Sequence, residues 1–257
     1  MRILAAAVTL VVAGCAATPD DGLLASSEVV RTLAFESAPV IEVARFSRRR
    51  AGEPLPDYWL PYLVPGKPRT EYRLVESEQG IALEARAERA ASGLYRRMRI
   101  DPHTHPVLEW RWRVPRLIPG ADPRVAARED SPVRLIVSFH GDAAKMDFES
   151  RAKLRLAKAL SGQALPYATL IYVWSNEVPA ETVVHNPHID RIRMLVVESG
   201  AQRVGRWIEV RRNLLEDYRR AFGEEPGDIV AIGVMTDSDN TRSSVQARYG
   251  DITIRVP

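Results

Sequence analysis

The amino-acid sequence predicts a mostly β protein, an antiparallel β-sandwich with one inserted amphipathic helix and one short helix near the C-terminus. Three observations lead to this prediction. Apolar and polar residues alternate along several short stretches, which is the pattern of half-buried strands. Loops rich in proline, or in aspartate, asparagine and glycine, separate these stretches. Helical spacing of apolar residues occurs clearly at two places.

Length and composition limit the possible classes of protein. The chain has 257 residues, of which 46% are hydrophobic, and this is enough to bury one core, so we expect a single domain. The formal net charge is only +3, so the composition predicts no nucleic-acid partner. A single cysteine excludes disulfides within the chain and zinc sites built from cysteines.

The N-terminus carries the pattern of an export signal. Arg2 precedes an apolar run at residues 3–12, which is too short to span a bilayer as a mature helix, and small residues lead to Cys15. This pattern resembles a bacterial lipoprotein signal, which implies cleavage before Cys15 and acylation of that residue. Because Ala16 rather than aspartate follows, the resemblance also implies transfer to the outer membrane.

These features predict a plan for the whole chain. Residues 1–14 are the predicted signal peptide, residues 15–35 a flexible tether, and residues 36–257 the β-sandwich domain. The predicted location is the bacterial cell envelope, with the domain facing the periplasm and the acylated Cys15 in the membrane.

Strands dominate the domain from Val40 onward. Residues 72–77 and 81–87 flank the tripeptide Glu-Gln-Gly at 78–80 and predict a β-hairpin. Alternation predicts further strands at residues 94–100, 108–114, 133–139, 167–174 and 191–198. Between them, apolar residues every four positions predict an amphipathic helix over residues 143–160 on the outside of the sandwich.

The C-terminal fifty residues carry the clearest local signals. Alternation at residues 207–211 predicts a strand, and Asn213 with Glu216 three positions later predicts the start of a helix that Gly223 ends. An apolar strand follows at 228–236, then an acidic loop and a last strand.

Several segments together resemble a known family. These are W-I-E-V-R-R-N-L-L-E-D-Y-R-R-A-F-G, M-T-D-S-D-N-T and Y-G-D-I near the C-terminus, with A-S-G-L-Y, L-E-W-R-W-R-V and Y-V-W-S upstream. They resemble a family of bacterial envelope proteins catalogued as a domain of unknown function, over roughly residues 36–257. The resemblance implies no activity or catalytic residues. Its strand pattern is similar to the jelly-roll sandwiches of carbohydrate-binding modules.

Strand alternation also predicts a charged binding face. If Trp110 and Trp112 point into the core, the polar residues between them point outward, and the same argument applies to the strand at 133–139. The residues predicted to share this face and bind an acidic glycan are Glu109, Arg111, Arg113, Arg134 and His140. The alternative is a solvated sheet face held by Glu–Arg pairs.

Acidic side chains near the C-terminus are candidate ligands for a structural calcium ion. The candidates are Asp237, Asp239, Asn240 and Asp251. The alternative interpretation is a turn in which these side chains bond the backbone. The histidine pairs in D-P-H-T-H-P and H-N-P-H could also meet at a zinc ion, although histidines of surface loops are the simpler interpretation.

The sequence therefore predicts a lipid-anchored envelope protein whose domain binds glycan without catalysis. Two alternatives remain open. One is a polysaccharide lyase or hydrolase of the same architecture, with His140 or a tyrosine as base and Arg111 or Arg134 neutralising a uronate. The other is a structural partner in an envelope assembly, for which an exposed apolar patch would be the sign.

Overall fold

A computed structural model shows the architecture of the domain. It describes residues 38–142, 146, 151–152, 166–186 and 189–257. Cys15, the predicted signal peptide and the predicted tether lie outside these residues, as does most of the helix predicted at 143–160, of which Arg151 and Ala152 are helical. Within the described residues, no helix is long and apolar enough to cross a membrane.

The predicted mostly β sandwich is confirmed, and thirteen strands are found in the described residues. In chain order they are β1 (Val40–Ala44), β2 (Leu60–Leu63), β3 (Glu71–Ser77), β4 (Gly80–Glu88), β5 (Ala91–Ile100), β6 (Val107–Arg113), β7 (Arg134–Phe139), β8 (Ala168–Ser175), β9 (Val183–His185), β10 (Ile192–Ser199), β11 (Trp207–Asn213), β12 (Ile229–Asp237) and β13 (Ser244–Arg255). The helix α1 (Leu214–Phe222) follows β11, and short 3-10 helices lie at Phe46–Arg48 and Ala126–Arg128.

The strands form two sheets. The six-stranded sheet has the order β11-β6-β13-β4-β3, with β1 also paired to β13. The seven-stranded sheet has the order β2-β5-β12-β7-β8-β10-β9. The ladders are antiparallel except for β8 and β10, which run parallel, so the chain crosses over between them and places β9 on the outer edge.

The core lies between the sheets because alternate residues of both face inward. On β6, Trp110 and Trp112 are buried, and the ring of Trp110 lies 5.0 Å from that of Tyr172 in the opposite sheet. On β7, Leu135 and Val137 are fully buried in the same cluster. In β6 and β7, alternation therefore predicts correctly which side chains face the core.

The helix α1 begins and ends where the sequence predicts. The Asn213 side chain accepts hydrogen bonds from the backbone N–H groups of Leu215 and Glu216, and its amide donates to the Glu216 carboxylate. Gly223 ends the helix in the left-handed conformation, with φ of 70°. The helix buries Tyr218, whose ring packs 4.7 Å from Phe139 of β7.

Candidate binding face

The outer face of the six-stranded sheet carries most of the charged side chains that meet across strands. Since Trp110 and Trp112 fill the core, Glu109, Arg111 and Arg113 of β6 point outward, as the sequence predicts. The neighbouring strands contribute polar side chains to the same surface. We call this surface the charged face; its residues are Glu71, Arg73, Glu84, Arg86, Glu88, Glu109, Arg111, Arg113, Trp207, Glu209, Arg211, Gln246, Arg248 and Arg255.

A row of side chains crosses this face at right angles to the strands. Trp207 is opposite Arg113, Arg113 is opposite Arg248, and Arg248 is opposite Glu84. Arg73 of β3, opposite Glu84, completes the row. Adjacent strands lie about 4.8 Å apart, so the row spans about 19 Å and presents three arginines and one tryptophan in line.

Ion pairs converge on Glu84, the fourth of the five side chains in this row. Its side chain is only 2% exposed, and Arg73, Arg86 and Arg248 all form ion pairs with it, at 3.0, 2.9 and 3.3 Å. Gln246 also donates to it. Burial opposes ionisation of Glu84, but the hydrogen bonds from Arg73 and Gln246 and the charge of Arg86 outweigh burial and lower its pKa.

One buried carboxylate thus holds three guanidinium groups, which leaves an excess of positive charge. The side chains of Arg73 and Arg86 remain 51% and 48% exposed. Each guanidinium has five N–H donors, so part of this donor capacity faces solvent. Glu71 lies opposite Arg86 in the register and offsets part of the excess.

The tip of the β3–β4 hairpin folds over the other end of the row. Arg111 donates to the side-chain oxygen of Gln79 at 2.7 Å and to its backbone carbonyl at 3.0 Å. Glu78 forms an ion pair with Arg113 at 2.9 Å and accepts from the Trp207 indole at 3.4 Å. The hairpin tip therefore forms a wall on one side of the charged face.

A glycine makes room for this arrangement. A Cβ atom on Gly250 of β13 would lie 2.4 Å from the Cγ of Arg111, so only glycine lets the arginine pass over the strand. The Arg111 guanidinium then lies 5.1 Å from the centre of the Trp207 ring. At the far end of the face, Glu109 pairs with Arg211 and Arg255.

The structure does not bring all five predicted binding residues together. β6 and β7 belong to different sheets, so Arg134 and His140 do not share a face with Glu109, Arg111 and Arg113. The prediction of a single shared groove was therefore wrong. Alternation gives the side of a strand on which a residue lies, but it does not give the sheet to which the strand belongs.

Arg134 is buried rather than solvated. It is 4% exposed and forms two hydrogen bonds with Asp237, from Nε at 2.9 Å and from Nη2 at 2.8 Å, and it also donates to the carbonyl of Glu129. Burial raises the pKa of Asp237 to about 6, although the charge and hydrogen bonds of Arg134 oppose this rise. His140, by contrast, is exposed, and its backbone N–H donates to the backbone carbonyl of Asp228.

The predicted calcium ligands also separate into two places. Asp237 and Asp239 lie close to Asp130, with carboxylate oxygens of all three within 4.8 Å of one another. Asp251 is elsewhere, because its carboxylate accepts from the backbone N–H and hydroxyl of Ser47. The prediction that Asp251 joins the acidic cluster was wrong.

Internal donors already satisfy the carboxylates of the cluster. Asp130 accepts from the backbone N–H groups of Asn240 and Thr241, at 3.1 and 2.7 Å. Asp237 is paired with Arg134, and Lys67 pairs with Asp239. These contacts fit the turn interpretation, in which carboxylates bond the backbone. The sequence does not indicate that Asp130 belongs to this cluster, because only a long-range contact brings it to the turn.

The predicted histidine pairs have separate partners. His103 contacts Asp101, whereas His105 is buried and bonds to the carbonyl of Ala38. His188 lies outside the described residues, and His185 ends β9. The acidic cluster is the one group with metal-ligand spacing in the described part of the chain, and it contains no histidine.

Comparison with known proteins identifies the family. A family model described as "Protein of unknown function (DUF3047)" matches residues 57–253. The chain belongs to the DUF3047 family. The match includes the segments around Trp110, Tyr172 and Asn213 on which the sequence resemblance rests. No curated protein matches the chain at a significant level.

Several solved structures are similar to this DUF3047 protein, and one of them contains a bound sugar. It is the xyloglucanase domain of NopAA, a type three effector from Sinorhizobium fredii, in complex with cellobiose. The identity is 8% and the TM-score 0.40, with 86% of this chain and 97% of that chain covered.

Proposed function

We propose that this DUF3047 domain binds an acidic glycan on the charged face without catalysing a reaction on it. The observation that carries the proposal is the cluster around Glu84, where three arginines share one buried carboxylate. Arginine forms planar, bidentate contacts with carboxylates, which are the acidic groups of uronates. The row from Arg73 to Trp207 suits a linear polymer that lies across the strands.

The electrostatics of this face favour binding over proton transfer. A general acid in a glycoside hydrolase needs a raised pKa, whereas the arginines lower the pKa of Glu84. Burial raises the pKa of Tyr72, Tyr172 and Tyr249, so these phenols are poor bases at neutral pH. His140, the other proposed base, belongs to the opposite sheet.

We further propose that Cys15 is acylated and holds the domain at the outer membrane of a bacterial envelope. The sequence pattern of residues 2–15 supports this proposal. Growth with an alkyne fatty acid should label the wild-type chain and leave a Cys15→Ser variant unlabelled. A labelled Cys15→Ser chain, or an unlabelled wild type, would contradict the proposal.

A charge-matched pair of variants tests the glycan proposal. The double variant Arg73→Gln, Arg86→Gln removes two half-exposed guanidiniums from the charged face, and Arg219→Gln, Arg220→Gln removes two of similar exposure from α1. The purified full-length chain in detergent is titrated calorimetrically with hexagalacturonate and with neutral cellohexaose. We expect binding of the acidic oligosaccharide only, about tenfold or more weakened by the first double variant and unchanged by the second.

Three results would contradict the glycan proposal. Equal weakening by both double variants would mean that net charge alone governs binding. Absence of hexagalacturonate binding by the wild type would favour the interpretation of the charged face as a solvated sheet surface. Double-stranded DNA serves as a competing polyanion, and displacement of the sugar at equal charge concentration would argue against a glycan site.

A further inference from the structure

The carboxylate of Glu78 occupies a position where two donors of the charged face converge. Glu78 lies at the tip of the β3–β4 hairpin, and its side chain is 59% exposed. One oxygen is 2.9 Å from Nη1 of Arg113, and the other accepts from Nε1 of Trp207 at 3.4 Å. The face thus already binds one carboxylate, and that carboxylate comes from a surface turn of the same chain.

Both donors are held in place independently of Glu78. Nε of Arg113 donates to the carbonyl of Gly205 at 2.8 Å, which fixes the guanidinium and leaves its Nη groups facing outward. Trp207 is anchored in β11 opposite Arg113. It is also the one tryptophan of the chain that is not buried, because Trp59, Trp110, Trp112 and Trp174 all are.

We propose that Arg113 and Trp207 form a subsite for the carboxylate of a uronate, and that Glu78 is the internal competitor that this carboxylate displaces. The inference rests on the proposed function of the charged face. Arg113 supplies the charge-assisted hydrogen bonds to the carboxylate. The half-buried indole supplies an N–H donor and an apolar ring against which a sugar ring packs.

The exchange of carboxylates is energetically easy. The Glu78 side chain is 59% exposed and that of Arg113 25%, so solvent and salt reach the ion pair from the Glu78 side and screen it, and Glu78 leaves Arg113 at modest cost. The ligand carboxylate then restores the same charge at the same donors, so no cation is left unpaired. Gln79, which accepts two hydrogen bonds from Arg111, sets how far the hairpin tip lies over the face.

A second charge-matched pair of variants tests this inference. Glu78→Ala removes the competitor, whereas Glu225→Ala removes an equal charge of similar exposure, 61%, that pairs with Arg219 of α1 outside the charged face. The probe is hexagalacturonate, titrated calorimetrically into the full-length chain in detergent. We expect Glu78→Ala to raise the affinity about fivefold to tenfold, as for a subsite that is open about 10–20% of the time. Glu225→Ala should change it less than about twofold, because exposed charges are screened.

A double-variant cycle distinguishes competition from general charge effects. In an Arg113→Gln background, which weakens the subsite, Glu78→Ala should no longer raise the affinity. Equal effects of Glu78→Ala and Glu225→Ala, or a loss of affinity on Glu78→Ala, would overturn the assignment of Glu78 as a competitor while leaving wild-type binding and the proposed function intact. No binding by the wild type or by Glu78→Ala would overturn both.

Discussion

At the scale of single residues, Glu84 shows how a solvated sheet face becomes a defined site. The alternation in β4 places Glu84 and Arg86 on the polar side of the strand, and that much is visible in the sequence. The sequence does not show that Glu84 is 2% exposed. That burial comes from Arg73 and Arg248, which reach it from strands on either side.

The pH dependence of stability should report this environment. The folded-state pKa of Glu84 lies below its unfolded value of about 4.3, so its stabilising contribution is complete above that pH and is lost as the pH falls through the folded pKa. Urea unfolding of the wild type and of Glu84→Gln should show a stability difference at pH 7 that shrinks below about pH 4. A difference that stays constant down to pH 2 would contradict the lowered pKa.

At the scale of elements, local signals predict structure well where the interactions are local. The β3–β4 hairpin, the start of α1 at Asn213 and its end at Gly223 all follow from residues a few positions apart. The hydrogen bonds that define these features join residues of the same segment, so the local sequence is enough to predict them. The hairpin prediction did not include the contacts of its tip with Arg113 and Trp207, since these come from strands far along the chain.

The helix cap gives a direct test at this scale. Asn213→Ala removes the side-chain acceptor for the N–H groups of Leu215 and Glu216, so we expect a loss of about 1 kcal/mol in the free energy of unfolding. Asn213→Ser keeps an acceptor and should lose much less. Urea unfolding measures both variants, and equal losses would show that the cap is not the source of the effect.

At the scale of the whole molecule, the assignment of strands to sheets determines which side chains meet. Polar and apolar residues alternate in the same way along β6 and β7, yet β6 pairs with β11 and β13 whereas β7 pairs with β8 and β12. Long-range pairing decides this, and one sequence contains no signal for it. For the same reason, the sequence does not show that Asp130 contacts the turn at Asn240.

The Arg134–Asp237 pair joins β7 to β12 inside the protein and should be costly to break. Arg134→Met leaves the Asp237 carboxylate buried without its partner, so we expect a loss of about 3–5 kcal/mol. Adding Asp237→Asn removes the unpaired charge and keeps an acceptor for the N–H of Ser131, so the double variant should lose less than the sum of the two single variants. Chemical unfolding of all three gives the coupling, and strict additivity would contradict a buried pair.

The most direct test of the central claim is the fluorescence of Trp207 during titration with hexagalacturonate. Because the other tryptophans are buried, acrylamide should quench mainly this indole, and ligand bound on the charged face should protect it. We predict that protection increases with ligand, saturates at the calorimetric affinity, disappears in Trp207→Phe, and does not occur with neutral cellohexaose. Calorimetric binding without any change in the quenching of Trp207 would place the ligand elsewhere and contradict this account.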